Sequence, residues 1–339
     1  MKTTATWLKA VLLAGRLVLL TVVAIVLFGV SAIVSGMAKA PPPQGPAAAA
    51  EAAAPAPDAG AAVAPEPGAA TEPVVPPAAR QQPGPGFALA LLAVCALISL
   101  AVAPTVLHSR WGGWRAVLAL AVLLYGQMTV LSQAETVVYL ANVSGAFLGR
   151  MFVFGALFAA SLAAAAVLIL GRIRGGAGCD AAPLPRMGWS WWAWRVAAVA
   201  VLHVATYYVA GYYLAWKNPA LRAYYGGSDP GSFLLQLEAV AVGTPWMIPY
   251  QFAQGIVWAL LAVLLVRMLS GSRLVTALTA ALLMGVVGPI QLLLPNPIMP
   301  DEVRTTHLVE TIVSRVVFGF LAAWLLRPAE RSGPPQDPA

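Results

Sequence analysis

Residues 300–327 read PDEVRTTHLVETIVSRVVFGFLAAWLLR, a run long enough to cross a bilayer that nevertheless carries ionisable groups inside it. At about 100° per residue, Arg304, His307, Glu310, Thr311, Ser314 and Arg315 fall within an arc of roughly 140°, and Val309, Ile312, Val313 and Val316 fill the opposite side. Counting back from Arg327 at ~1.5 Å per residue across a core of ~30 Å puts His307 near the far interface and Glu310 just beneath it. Arg315 comes within a few ångströms of mid-bilayer, where an unpaired guanidinium costs at least ~2.5 kcal/mol on insertion scales. Glu310 is rotated about 140° from Arg315 and lacks the favourable i,i+4 geometry. A partner is expected from another helix, or water must reach the group.

Composition agrees with a membrane setting. Of 339 residues 60% are hydrophobic and only 10% charged, against ~25% charged in an ordinary soluble domain, and the mean hydropathy is +0.79. Apolar runs of about 18 residues or more occur near 17–35, 86–107, 116–133, 151–171, 196–216, 247–267, 274–294 and 307–326. The fold expected is an all-α polytopic membrane bundle of about eight transmembrane helices.

The balance of 20 basic against 13 acidic residues raises the question of nucleic acid, and the placement of the basic residues answers it. With the N-terminus inside, only Lys39, Arg80, Arg150, Lys217, Arg222 and Arg304 fall outside and Arg315 within the membrane, leaving 13 of the 20 on the inner side, with every short inner loop basic. That is the positive-inside pattern. No nucleic-acid partner is expected, and both termini are placed in the cytoplasm. The Ala-rich chain with an Ala/Pro linker points to a bacterial inner membrane.

Four regions follow. Residues 1–36 form an N-terminal transmembrane helix, read as retained: Leu17 to Val34 exceeds the 7–15 residues of a signal-peptide core, and Ala38-Lys39-Ala40 is followed by Pro41. Residues 37–85, rich in Ala, Pro and Gly, read as a disordered linker able to hold the first helix away from the rest. Residues 86–327 read as one seven-helix membrane domain, and 328–339 as a disordered cytoplasmic tail. In the fourth span, GAFLGRMFVFG offers Gly145, Gly149 and Gly155 as a small-residue surface for close helix packing or homo-oligomerisation.

The 217–246 connection holds a dozen apolar residues, too few to span, after a helix-start signal at Ser228 or Asp229 before Pro230. An interfacial or re-entrant helix is expected there. Trp189, Trp191, Trp192 and Trp194 beside Arg186 and Arg195 suit an interfacial anchor. Tyr207, Tyr208, Tyr212, Tyr213, Tyr224 and Tyr225 are more tyrosines than anchoring requires. His203, assigned to the inner third of its span, reads as a packed neutral imidazole too deep to meet His307.

Polar residues gather on the outer half of the spans. The candidate polar site is His307, Glu310, Arg315, Arg304, Glu135, Gln251 and Gln291, facing a cavity open to the extracytoplasmic side. His307 and Glu310 lack the further ligands a metal needs, Cys95 and Cys179 lie at different levels, and no metal or cofactor is expected. The signatures G-x-x-x-x-G-K-[ST], H-E-x-x-H and G-x-S-x-G are absent. The sequence thus reads as a transporter or binder of a small solute, ion or lipid group. The alternatives are an enzyme of lipid or envelope precursors with Glu310 or Asp301 as acid or base and His307 as relay, or an assembly partner in the bilayer.

Overall fold

A computed structural model describes residues 2–37, 85–139, 143–174, 185, 187–295 and 299–328. Almost all of the linker and the C-terminal tail, together with Cys179 and Arg186, lie outside the described residues. Within them are eight helices long and apolar enough to cross a membrane and no strand, the nearest approach to one being an isolated bridge between Ser109 and Leu269. The chain is an all-α, multi-pass membrane bundle.

The spans are α1 (Lys2–Val34), α2 (Pro85–Leu107), α3 (Gly113–Tyr139), α4 (Gly145–Ile169) and α5 (Trp189–Ala215). Two short helices follow, α6 (Pro219–Tyr224) and α7 (Phe233–Gly243). The chain then returns through α8 (Met247–Met268), α9 (Arg273–Leu293) and α10 (Asp301–Leu326). Single π turns interrupt α3 at Gly126–Val130 and end α5 at Gly211–Ala215, and α9 tightens into a 3-10 turn at Pro289–Leu293. Serines cap where the sequence supplies them: Ser144, Ser232 and Ser272 accept the backbone N–H three residues on. α7 therefore starts after Ser232, not at the Ser228 or Asp229 expected from the proline. Asp229 instead accepts from Gly231 N at 2.9 Å.

Neighbouring spans close a ring in the order α1, α2, α9, α10, α8, α3, α4 and back to α1, with α5 laid against α8 and α10. The first helix is not held apart, as the linker had suggested. Leu20 and Ala24 are fully buried, and Phe28 meets Phe154 and Phe158 of α4 edge to face at 5.1 and 5.7 Å. Small residues set the closest approaches. A methyl at Gly255 of α8 would lie 2.7 Å from Ala200 O and 3.1 Å from the Cβ of His203 in α5, and one at Gly319 of α10 would lie 2.8 Å from Ala280 O in α9. Gly155 is consumed in the same way, inside the bundle against Thr129 at the π turn of α3, whereas Gly145 and Gly149 face open space.

The two ends of the bundle differ chemically. On the face where α1 begins and α10 ends, arginines of neighbouring segments bind the open carbonyls of all four helices that terminate there. Arg172 donates to Leu107 O of α2 and Arg16 to Leu170 O after α4. Arg110 and Arg327 reach Leu269 O after α8 at 2.7 and 3.0 Å, and Arg195 and Arg273 reach Leu325 O and Trp324 O of α10 at 2.8 and 2.6 Å. Burial lowers the Arg110 pKa from its ordinary value. The opposite face carries residues 216–246. α6 is tied to α10 by Asn218 Nδ2 donating to Thr306 Oγ1 at 2.7 Å. α7 buries none of its residues and exposes Leu234, Leu235 and Val242; at 11 residues and ~1.5 Å each it covers about half of a bilayer core.

The glycine contacts generate a test. Gly255→Val forces α5 from α8 and should cost about 1–3 kcal/mol, the usual range for overpacking a tight core, whereas Gly149→Val should cost nothing measurable. Thermal unfolding of the two variants in detergent checks the contrast.

Candidate functional site

The polar side chains of α3, α5, α8 and α10 converge on Arg315. It stands 14 residues from Asp301, and His203 stands 14 residues from Trp189, so both sit near the midpoints of helices of 26 and 27 residues. His203 had been placed in the inner third of its span because the apolar run starts at 196. The helix itself begins at Trp189, and the extra turns put the imidazole near the middle of the helix, level with Arg315.

Arg315 Nη1 lies 3.0 Å from His203 Nδ1, and its guanidinium stacks 4.2 Å from the Trp258 ring centroid. Nη2 faces Glu135 Oε1 at 3.8 Å, an ion pair too long to be a hydrogen bond. A guanidinium has donors and no acceptor, so Nδ1 of His203 must present its lone pair. The proton then sits on Nε2, which donates to Gln251 Oε1 at 3.1 Å. The amide fixes the next step: Gln251 Nε2 donates to Tyr139 OH at 2.8 Å, and Tyr139 OH pairs with Tyr207 OH at 3.0 Å. One arginine thereby dictates the polarity of a hydrogen-bond string through three helices.

The floor of this cluster is aromatic. Trp258 and Phe318, both buried, lie 6.0 Å apart, and Phe318 meets His203 edge to face at 5.7 Å. Toward the face bearing residues 216–246 the cluster continues to Glu310, whose Oε2 accepts from Thr311 Oγ1 at 3.1 Å and lies 3.7 Å from His307 Nδ1. The other imidazole nitrogen, Nε2, meets Tyr225 OH at 3.0 Å. Burial, followed by the neighbouring Tyr224, pushes the Tyr225 hydroxyl well above its ordinary pKa, so the group remains a neutral phenol.

Past its π turn, α3 meets α5, α8 and α10 through the side chains of Tyr139 and Glu135. The Glu135 side chain keeps 38% of its exposure while that of Arg315 keeps 10%, so the charge pair runs from a buried guanidinium to a part-exposed carboxylate.

Two of the residues grouped by sequence stand elsewhere. Arg304 turns back along its own chain, bonding Asp301 Oδ1 at 2.6 Å and Leu292 O and Leu293 O at 2.7 and 3.1 Å, so it pins the 3-10 turn of α9 to the start of α10. Gln291 donates to Gly288 O and Met128 O and lines a separate crevice with Met151, Phe154 and Phe158. His307, Glu310, Arg315, Glu135 and Gln251 are brought together. Sequence reasoning missed His203, Tyr139, Gln254 and Trp258 as members. The excess of tyrosines was the available signal, and of that set Tyr207 and Tyr225 join the hydrogen-bond network.

This is a polytopic α-helical membrane protein in which charged and polar side chains of α3, α5, α8 and α10 meet near the middle of the long helices. No protein-family model matches the chain, and neither a curated protein nor a solved structure is found similar to it.

Gln251 is the hinge of the network. Gln251→Leu leaves the His203 N–H without its acceptor and removes one of the two partners of the Tyr139 hydroxyl, and should lower stability by about 1–3 kcal/mol, while Tyr207→Phe, at the end of the string, should cost less than about 1 kcal/mol. Denaturant or thermal unfolding of the purified variants measures the order.

Proposed function

We propose that this chain is an inner-membrane binder or transporter of a small solute, ion or lipid group, entered from the extracytoplasmic side through the opening beside Glu135 and closed below by Trp258 and Phe318. The observation that carries the reading is the loose Arg315–Glu135 pair at 3.8 Å, with 38% of the Glu135 side chain exposed. An ion pair kept only to lock helices gains from short, fully paired geometry, because desolvation of two charges must be offset. Here the partners stay apart, and one of them remains accessible. The orientation, with both termini cytoplasmic, is supported by the 13 of 20 basic residues assigned to that side.

A second reading, an enzyme of lipid or envelope precursors, draws on the alignment of Tyr225 OH, His307 and Glu310. A carboxylate, an imidazole and a hydroxyl in line suit proton transfer at the hydroxyl. The neutral phenol makes Tyr225 a donor in that scheme rather than a nucleophile.

Glu310→Gln and Arg315→Leu should each abolish solute-dependent growth or uptake at unchanged membrane levels, whereas wild-type behaviour of both would remove the binding reading. For the enzyme, lipid and glycan profiles of a deletion strain should show an accumulated precursor, restored by the wild-type gene and not by Tyr225→Phe. Profiles identical to the parent end that alternative.

A further inference from the structure

Three independent features of the cluster point to one missing group. The first is charge. Arg315 faces two carboxylates, Glu135 and Glu310; with both ionised and the histidines neutral, one negative charge is in excess, which a proton or a bound cation has to cancel in a low-dielectric setting. An arginine at the centre of a site ordinarily suggests an anion, but this arginine is already outnumbered.

The second is hydrogen bonding. Gln254 is 4% exposed, its Nε2 donates to Tyr250 OH at 2.8 Å, and its Oε1 has no partner. Its neighbour Gly255 packs against His203, and its partner Tyr250 packs on Tyr139, one helical turn beyond Glu135. Buried polar groups are almost always paired, and the unpaired atom is an acceptor, so the group that completes it is a donor. The third is the wall. Tyr139 and Tyr250 pack edge to face at 6.3 Å with Trp246 beyond Tyr250 at 6.2 Å, ring surfaces of the kind that attract organic cations. Among the described residues no three His, Cys, Asp or Glu side chains gather as metal ligands.

We propose that the opening beside Glu135 is a site for a protonated primary amine, its ammonium held by Glu135, Gln254 Oε1 and Glu310. An ammonium carries three donors and no acceptor; the site offers three acceptors and one surplus negative charge. The inference rests on the binding reading above and narrows it to a ligand class. The amine has two sources, a free solute or the headgroup of an aminophospholipid, since the opening lies on the same face as the exposed apolar helix α7.

The test uses the full chain in phosphatidylglycerol nanodiscs titrated calorimetrically with ethanolammonium chloride at neutral pH, with empty discs as blanks. Saturable binding is expected, weakened about tenfold or more in Glu135→Gln by loss of a charged hydrogen-bond partner and also weakened in Gln254→Ala. Sodium acetate should give no binding. If the occupant is a lipid headgroup, discs containing phosphatidylethanolamine should bind ethanolammonium more weakly; if it is a free amine, the two disc types should agree. No saturable binding, or equal binding by Glu135→Gln shown by thermal unfolding to be folded, overturns the proposal. Acetate binding that disappears in Arg315→Gln overturns the amine and leaves the cavity standing. Failure of the cavity itself is read separately, from normal growth of Glu310→Gln and Arg315→Leu.

Discussion

A guanidinium at the middle of a bilayer has to be answered by groups that other helices carry, and this requirement organises the bundle. Arg315 takes three different kinds of answer: an imidazole lone pair from α5, an indole face from α8 and a distant carboxylate from α3. Each demands a helix at a particular distance. His203 reaches Arg315 and Gln251 because α5 lies almost in backbone contact with α8, and that approach exists because residue 255 has no side chain. The arginine in turn fixes the tautomer of His203, the orientation of the Gln251 amide and the direction in which Tyr139 accepts. Packing and polarity are thus one problem: widening the α5–α8 contact breaks the same hydrogen bonds that make the buried charge tolerable.

The arginines at the opposite end obey a simpler rule. Four helices end on that face, and the last carbonyls of an α-helix lack intrahelical donors and sit at the negative end of its dipole. Arg16, Arg110, Arg172, Arg195, Arg273 and Arg327 supply the donors from neighbouring segments. The charge asymmetry used to assign topology is therefore also a capping system. Helices that begin on that face need no such help, and there Ser272 and the backbone of Gly188 precede α9 and α5. An arginine that clamps the last carbonyl of a neighbouring helix also ties two spans together at their ends.

Fold class was legible because it depends on length and apolarity alone, and those are local. Eight runs gave eight spans, with errors confined to ends where polar residues continue the helix, as in Trp189–Arg195, Gln133–Tyr139 and Asp301–Thr306. Those ends are where the site information was lost. Starting α5 at 196 placed His203 a turn or two too shallow, and ending α3 at 133 left Glu135 in a loop. A helical wheel for α10 grouped Arg304 with Arg315 correctly by angle, but angle says nothing about what a neighbour offers; Leu292 and Leu293 present bare carbonyls within reach of Arg304, and it turns to them. Gln291 was lost for the same reason, since the 3-10 turn that redirects it comes from Pro289 and not from any polar pattern. Contacts between helices, unlike the helices, are not written in local sequence.

The decisive question for this cluster is whether it locks the bundle or leaves room for a guest. A lock is best built where backbones are closest, because short charged hydrogen bonds offset desolvation. This bundle does have such places, at Gly255 with Ala200 and the Cβ of His203 and at Gly319 with Ala280 and the Cβ of Met284, and neither carboxylate is among those contacts. The Arg315–Glu135 pair lies instead past the π turn of α3, where the carboxylate keeps 38% of its exposure. A π turn adds a residue to one turn of helix, rotates the faces that follow and is frequently found at functional positions. In α3 it separates a buried half, packed on α4 and α8, from a half whose Glu135 and Tyr139 reach Arg315, Gln251 and Tyr207 on three other helices. The loosest of those contacts is the one between charges, Arg315 and Glu135 at 3.8 Å, and it is there that a guest could enter without breaking a short hydrogen bond.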